Sequence, residues 1–325
     1  MSNNTRTLFI ERNGDDCTQF GDIPRELQDA LIPHARYYYY EDRDGFILDQ
    51  HIQAGEFSIW QHQVKMMPGV QLQPYAPHQV YALHVSNNIP VETYEGDTVA
   101  LRHKELSLFN VMPVPHQAML MDDYADSFHI NIEPSSLPLL AREFPVFRCL
   151  MGSPAKTVTG PLNDFPFQLN EVSAMVKDRI LQCNYIGHAA NAWFRRNAVD
   201  YFTNYLHQLS CPRTIMMSSD EQELFGRILA YILENLHQQD LTDAVIHHFN
   251  ISGELLQAPF SQVFNISLPA LILQERMARA FVLLMETADS YSDIMQGVGY
   301  TQLDAFTAAF KQYFGCDPIE LRNAQ

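Results

Sequence analysis

From Ser290 to Arg322 the chain reads SYSDIMQGVGYTQLDAFTAAFKQYFGCDPIELR, and its frame is helix, turn, helix. Gly299-Tyr300 falls at the turn. Phe306, Phe310 and Phe314 follow at i, i+4 and i+8, the spacing of one apolar helix face. Lys311 comes directly after Phe310. Gly315 supplies a C-terminal stop, and Pro318 and Arg322 lie just beyond it.

The ordered run Gly-aromatic, Phe, Phe-Lys, Phe-Gly, Pro, Arg resembles the last helix-turn-helix of AraC/XylS-type transcription regulators. Working back from it, the resemblance implies a first unit near residue 241. Leu241-Thr242-Asp243 opens a short helix there, and Ser252 precedes the next as N-cap. Leu256, Phe260 and Phe264 then occupy the family's apolar positions. Arg276, Ala280, Leu283 and Leu284 match the long helix that joins the two units in this family. The resemblance covers Asp220 to Arg322, and it implies recognition helices over Ser252–Phe264 and Gln302–Phe314.

The departures lie on the face that the resemblance turns towards DNA. A basic residue usually stands two before each Phe-Lys pair, and these slots are Ala258 and Ala308. Ser261 replaces the first Lys. Asn265 replaces the Gly after Phe264 and can still adopt the left-handed conformation. Pro259 falls inside the first recognition helix, where it removes a backbone hydrogen bond at a cost of about 3 kcal/mol. A kinked or late-starting helix is expected. The side chains left to meet DNA are Lys311 with Gln257, Ser261 and Gln262 in the first unit and Thr301, Gln302 and Asp304 in the second.

Charge argues against DNA. The 325 residues hold 21 Lys and Arg against 38 Asp and Glu, a formal net charge of -17. Residues 213–325 alone have six cations (Arg213, Arg227, Arg276, Arg279, Lys311, Arg322) against 14 acids, a net of -8. The basic footprint of a DNA reader is missing.

The remaining chain has room for a second core. No apolar run approaches the roughly 18 residues of a membrane span. The start, MSNNTRTLFIERNGDD, lacks the pattern of a secretion signal. Five scattered cysteines (Cys17, Cys149, Cys183, Cys211, Cys316) without a CxxC pair fit reduced thiols in a cytoplasmic protein.

Short alternating runs between Gly55 and Ile132, such as FSIWQHQV, QVYALHVS and SFHINIEP, indicate antiparallel strands in a barrel or sandwich. The resemblance makes this a cupin-like sensor domain. From Phe167 to Leu209 the period becomes helical, with Ala190, Trp193, Asn197, Tyr201, Tyr205 and Leu209 in three- and four-residue steps. This hairpin either forms a dimer interface or covers the sensor core. SCPRTIMMSSD reads as a linker, with Ser219 set to cap a helix from Asp220 to His237.

Among 13 histidines, His116 and His129 with Glu133 form no metal-ligand spacing, and His247-His248 reads as surface. The stretch His78 to His84 faces a ligand or alternates with a core. No phosphate loop, nucleophile elbow or HExxH marks an enzyme. Phe57, Trp60, Tyr75, Tyr81, Phe109 and Phe128 line an effector pocket or fill the strand core.

The expectation is therefore an α+β chain. A cupin-like antiparallel barrel with its helical hairpin occupies residues 1–212, the hairpin at about 167–209, and an all-α double helix-turn-helix domain occupies 213–325. The resemblance implies a homodimeric transcription regulator that binds DNA and a small effector, with no cofactor, metal or membrane. The alternative is a member that keeps the fold, has lost DNA binding, and acts as an effector sensor or protein-binding regulator.

Overall fold

The computed structural model describes residues 5–13, 22–88, 90–94, 97–99, 101–114, 116–120, 123–151, 157–210 and 218–323. Cys17, Cys211, Arg213 and the central part of the expected linker (211–217) lie outside these residues.

The strands run β1 (Thr5–Phe9), β2 (Arg36–Asp42), β3 (Gly45–Ala54), β4 (Phe57–Met66), β5 (Gln71–Tyr75), β6 (Val80–Asn88), β7 (Pro90–Tyr94), β8 (Asp97–Val99), β9 (Glu105–Val111), β10 (Gln117–Leu120), β11 (Tyr124–Ile132), β12 (Gly160–Pro161) and β13 (Phe167–Gln168). They form two sheets. The larger runs β12-β9-β6-β11-β4-β3-β2, with β13 also on β9, and the smaller runs β1-β5-β10-β7-β8. The expected closed barrel is not formed: among the described residues both sheets keep open ends. The expected all-antiparallel pairing also fails once, because β1 pairs β5 in parallel. Between β1 and the β2–β3 turn the link is made by side chains, Arg6 reaching Asp42 and Asp44 at 2.5 and 2.9 Å. No backbone ladder is needed there, so closure is not enforced.

Strand period explains why the larger sheet does not read as cleanly amphipathic. Successive side chains point to opposite faces, and both faces are buried. Phe57, Ile59, Phe128 and Ile130 share the face that meets helical residues. The Phe57 ring lies 6.4 Å from Phe147 and 5.9 Å from Phe202, and Phe128 meets Tyr201 edge-on at 5.7 Å. Trp60, His62 and His129 share the other face. The tyrosine run at 37–40 lies in β2, with Tyr38 and Tyr39 buried.

The helices are α1 (Arg25–Gln28), α2 (Leu137–Glu143), α3 (Arg148–Met151), α4 (Glu171–Leu181), α5 (Gly187–Ser210), α6 (Ser219–Glu234), α7 (Leu241–Phe249), α8 (Gly253–Phe264), α9 (Leu268–Glu286), α10 (Tyr291–Gly297), α11 (Leu303–Phe314) and α12 (Pro318–Asn323). The helical stretch expected from Phe167 starts at Glu171, because Phe167 and Gln168 pair with β9. On α5, Trp193, Asn197, Tyr201 and Tyr205 are all buried within the chain. That face is occupied within the chain, Tyr201 against Phe128 and Trp193 against Phe281.

The cap of α6 is Ser218, one residue before the expected Ser219. Ser218 has extended backbone, its Oγ accepts from the Glu221 N–H at 3.3 Å, and Glu221 Oε2 accepts from the Ser218 N–H at 2.8 Å. This reciprocal box satisfies two otherwise orphaned donors. Glu234 ends α6 earlier than the expected His237.

The chain divides into two compact units. One takes the strands with Ser173–Ile186 and Asn197–Phe202. The other takes Asn170–Val172, Gly187–Arg196 and everything from Thr203 onward. Among the described residues no single helix is long and apolar enough to cross a membrane.

Candidate nucleic-acid interface

The helical unit contains the same device twice. In the first, α7 stops at Asn250, which adopts φ 51°, and α8 follows; in the second, α10 is followed by Gly299 at φ 80° and then α11. Each second helix ends on another left-handed residue, Asn265 at φ 55° and Gly315 at φ 75°. Asn tolerates that region and Gly occupies it freely. Leu256, Phe260 and Phe264 are buried on α8, as are Phe306, Phe310 and Phe314 on α11. Phe225 of α6 packs edge-on against Phe260 and Phe264, while Phe281 of α9 lies 4.7 Å from Phe314 and 6.2 Å from Phe310. The linking α9 begins with a Ser267 cap, and α10 with a Ser290 cap.

Arg276 of α9 ties the two devices together. Its guanidinium donates to Leu236 O at 3.1 Å and to Gln238 O, both on the approach to α7. The same group fills the space beside Gly299: a Cβ there would lie 2.5 Å from Arg276 Nη2 and 2.7 Å from Leu236 O. Glycine is therefore required at 299 by positive φ and by lack of room. Burial lowers the Arg276 pKa and raises that of the adjoining Tyr300 phenol.

Residues 246–324 match the family described as Helix-turn-helix domain. The Msm operon regulatory protein of Streptococcus mutans serotype c is 38% identical over 73 residues, 22% of this chain and 26% of that protein. Putative HTH-type transcriptional regulator YkgA of Escherichia coli is 28% identical over 102 residues, 31% of this chain and 43% of that protein. Residues 246–324 are an AraC-type helix-turn-helix domain.

The solved C-terminal domain of AraT, a response regulator from Geobacillus stearothermophilus, is 28% identical to the AraC-type domain. It covers 34% of this chain and 89% of that one, with a TM-score of 0.31. The chain spans between about a quarter and under half of the two curated relatives' own length. Both are named as regulators rather than enzymes.

The residues expected to face DNA are exposed or half-buried in the helical unit. Gln257 and Gln262 on α8 are exposed, Ser261 is half-buried, and Thr301, Gln302 and Lys311 around α11 are exposed. Ser252 immediately precedes α8 and Gln302 is the N-cap residue of α11. Ala258 and Ala308 are exposed on the same faces. Pro259 sits within a helix that runs unbroken from Gly253, so the late start expected from proline does not occur.

The cations sort by use. Arg322 donates to Leu284 O at 3.1 Å and Asp289 O at 2.7 Å, closing the end of α9. Arg276 serves the α6–α7 connection as described. Arg227 stands over the Phe249 ring at 5.7 Å. Arg279 and Lys311 are exposed. Two of the six cations counted from the sequence are thus structural, and the only described cation on α8 or α11 is Lys311. Behind the recognition helices, Asn204 Nδ2 donates to Phe264 O at 2.5 Å, and Arg196 stacks over the Tyr313 ring at 3.6 Å.

Cavities open among the described residues of the strand unit. One of about 480 Å³ is lined by residues including Glu11, Arg12, His51, Ser58, His78 and Asn131. Another of about 400 Å³ is lined by residues including Phe9, Arg12, Tyr38, Tyr39 and Asp49. The six aromatics expected to line a pocket do not converge. Phe57 and Phe128 face helical residues, Trp60 and Phe109 lie on the opposite face of the sheet, and five of the six are buried in packing, Tyr75 being half-buried. His78 pairs with Glu133 at 3.3 Å, while His129 joins His62 instead. Asp49, His51 and His62 carried no motif in the sequence, because only strand register brings them to His129.

Proposed function

We propose that this chain is a cytoplasmic transcription regulator that reads DNA through both helix-turn-helix units, with α8 and α11 in successive major-groove segments. The observation that carries this reading is the paired outer face: polar side chains Gln257, Ser261 and Gln262 on one helix, and Thr301, Gln302 and Lys311 on the other, stand over intact apolar cores. Gln pairs with adenine edges, and Ser and Thr with several bases. With one lysine on the two helices, helix-end amides and hydroxyls carry most phosphate contact. Affinity then depends weakly on salt.

The strand unit is the place for a small effector, and the cavities of about 480 and 400 Å³ among its described residues support that assignment. Effector control requires different affinity for two states of the protein. A homodimer would use a surface other than the buried face of α5.

A second reading is favoured by the use of the cations. Arg276 and Arg322 are tied to backbone carbonyls and α8 has no cation, which suits a domain that keeps the fold and binds protein instead. The deciding experiment incubates the full chain with fragments of its own genome's promoters at about 50 mM salt, where weak phosphate contacts count most. Enrichment of paired half-sites about one helical turn apart supports the DNA reader. Continued absence of enrichment after cell extract is added supports the protein-binding reading.

A further inference from the structure

A polar row crosses the buried inward face of the larger sheet. Register sets His84 of β6 opposite His129 of β11, His129 opposite Trp60 of β4, and Trp60 opposite His51 of β3. One step along, His62 stands opposite Asp49 and Ser127. The rings stack in series, His84 to His129 at 5.6 Å, His129 to Trp60 at 6.2 Å, and Trp60 to His51 at 4.4 Å. Next to the row along β3, β4 and β11 come Ile47, Val64 and Ala125 of one apolar cluster, and Ala82 beside His84 belongs to another. In such surroundings each buried donor and acceptor needs a partner.

Following the hydrogens along the row leads to one too few. Asn131 Nδ2 lies 2.7 Å from Ile10 O and 3.0 Å from Glu11 Oε2, so this end of the amide is the donor. Asn131 Oδ1 therefore faces His129 Nδ1, at 2.8 Å, and that nitrogen must carry a hydrogen. His62 Nδ1 lies 2.7 Å from Asp49 Oδ1, with the two side chains 1% and 3% exposed. Beside an ionised Asp49 this nitrogen carries a hydrogen too. A neutral imidazole has one N–H, so both Nε2 atoms would be bare lone pairs. Yet they are 2.8 Å apart, a hydrogen-bond distance.

We infer that the strand unit binds one buried proton between His62 Nε2 and His129 Nε2, held as a His62 imidazolium balanced by Asp49, and that its release makes this domain pH-responsive. With that proton every bond runs one way: His62 donates to Asp49 and to His129, His129 donates to Asn131, and Asn131 donates to Ile10 O and Glu11. When the proton leaves to water, two lone pairs face each other at contact distance and the row must open.

Contact with Asp49 singles out His62 among the titratable groups around it. Burial, with His62 and His84 nearby, holds His129 well below the ordinary histidine range, and burial holds His84 of β6 down to about 3. His51 of β3 is lowered to about 4 by burial, with Arg36 of β2 and Arg12 adding to it. Asp126 of β11 is raised by burial and bonded by Gln61, with Lys177 of α4 acting on it. Glu11 is raised by burial and bonded by Asn131. Asp49 is the carboxylate in direct contact with His62.

The test is histidine-selective 15N NMR of the full chain from about pH 6 to about pH 9, on either side of the ordinary histidine value. The expected spectrum has His62 protonated on both nitrogens, coupled across an N–H···N bond to a His129 that is protonated on Nδ1. One proton is then lost as pH rises, with a tenfold change in occupancy ratio per pH unit. Asp49→Asn should abolish the extra proton without breaking the row, because its amide donates to His62 Nδ1 and leaves a neutral ring to donate from Nε2. Singly protonated His62 and His129 in the parent throughout the range would overturn the inference, as would a doubly protonated His62 in Asp49→Asn. If Asp49→Asn does not fold, the parent spectrum decides alone. None of these readouts depends on DNA binding.

Discussion

The two helix-turn-helix units agree in their interiors and differ on either side of them. Leu256, Phe260 and Phe264 repeat as Phe306, Phe310 and Phe314, all buried. The turns diverge: Asn250 keeps a side chain at positive φ, whereas Gly299 has Arg276 and Leu236 O where a Cβ would stand. The outer faces diverge further, with Pro259 and Ser261 on one and Lys311 on the other. The fold constrains the buried stripe and the turn, because burial and backbone geometry decide whether the helices pack. It places almost no demand on the outward side chains, which are therefore free to lose or keep phosphate contacts.

The largest expected effect tests whether the interiors are equivalent. Phe260→Ala and Phe310→Ala should each cost about 3–5 kcal/mol, read as a fall in urea midpoint by circular dichroism. A loss in only one variant would mean the two units do not unfold together. Next comes the turn. Gly299→Ala should cost more than about 1 kcal/mol, since φ is positive and the site is filled, while Asn250→Gly should stay within roughly 0.5 kcal/mol. Equal effects would erase the distinction between the turns.

Proline gives a smaller effect of opposite sign. Pro259→Ala restores an N–H inside α8. It should stabilise by about 1–2 kcal/mol, the ~3 kcal/mol helix-interior cost less the ~1 kcal/mol that proline removes from unfolded-chain entropy. No gain would show that α8 is already fully accommodated around the ring. The smallest effects concern the outer faces. Lys311→Ala should lower the salt-dependence slope of DNA binding by about 0.9, and Ser261→Lys should raise it by the same amount. An unchanged slope in both would place phosphate contact elsewhere.

The helical unit was legible because its signals are local. Phe306, Phe310 and Phe314 declare a face within three turns, and Gly299 and Gly315 mark ends within one residue. The cap of α6 was misplaced by one because Ser218 and Ser219 are adjacent, and only the extended backbone of Ser218 selects it. The strands were legible as strands, since alternation is local too, but their partners were not. Nothing in FSIWQHQV says which strand will lie opposite Trp60 or that His62 will meet a histidine 67 residues away. The open sheets and the parallel β1–β5 pair have the same origin.

By itself the sequence determined the double helix-turn-helix, its buried aromatics, the positions of α8 and α11 and the shortage of cations upon them, all properties of residues within a turn or two of one another. The tertiary structure alone decided which cations remain outward, by turning Arg276 and Arg322 onto backbone carbonyls, and which histidines meet, by setting the register of four strands. Both depend on groups brought together from distant parts of the chain, and distance in sequence carries no record of that meeting.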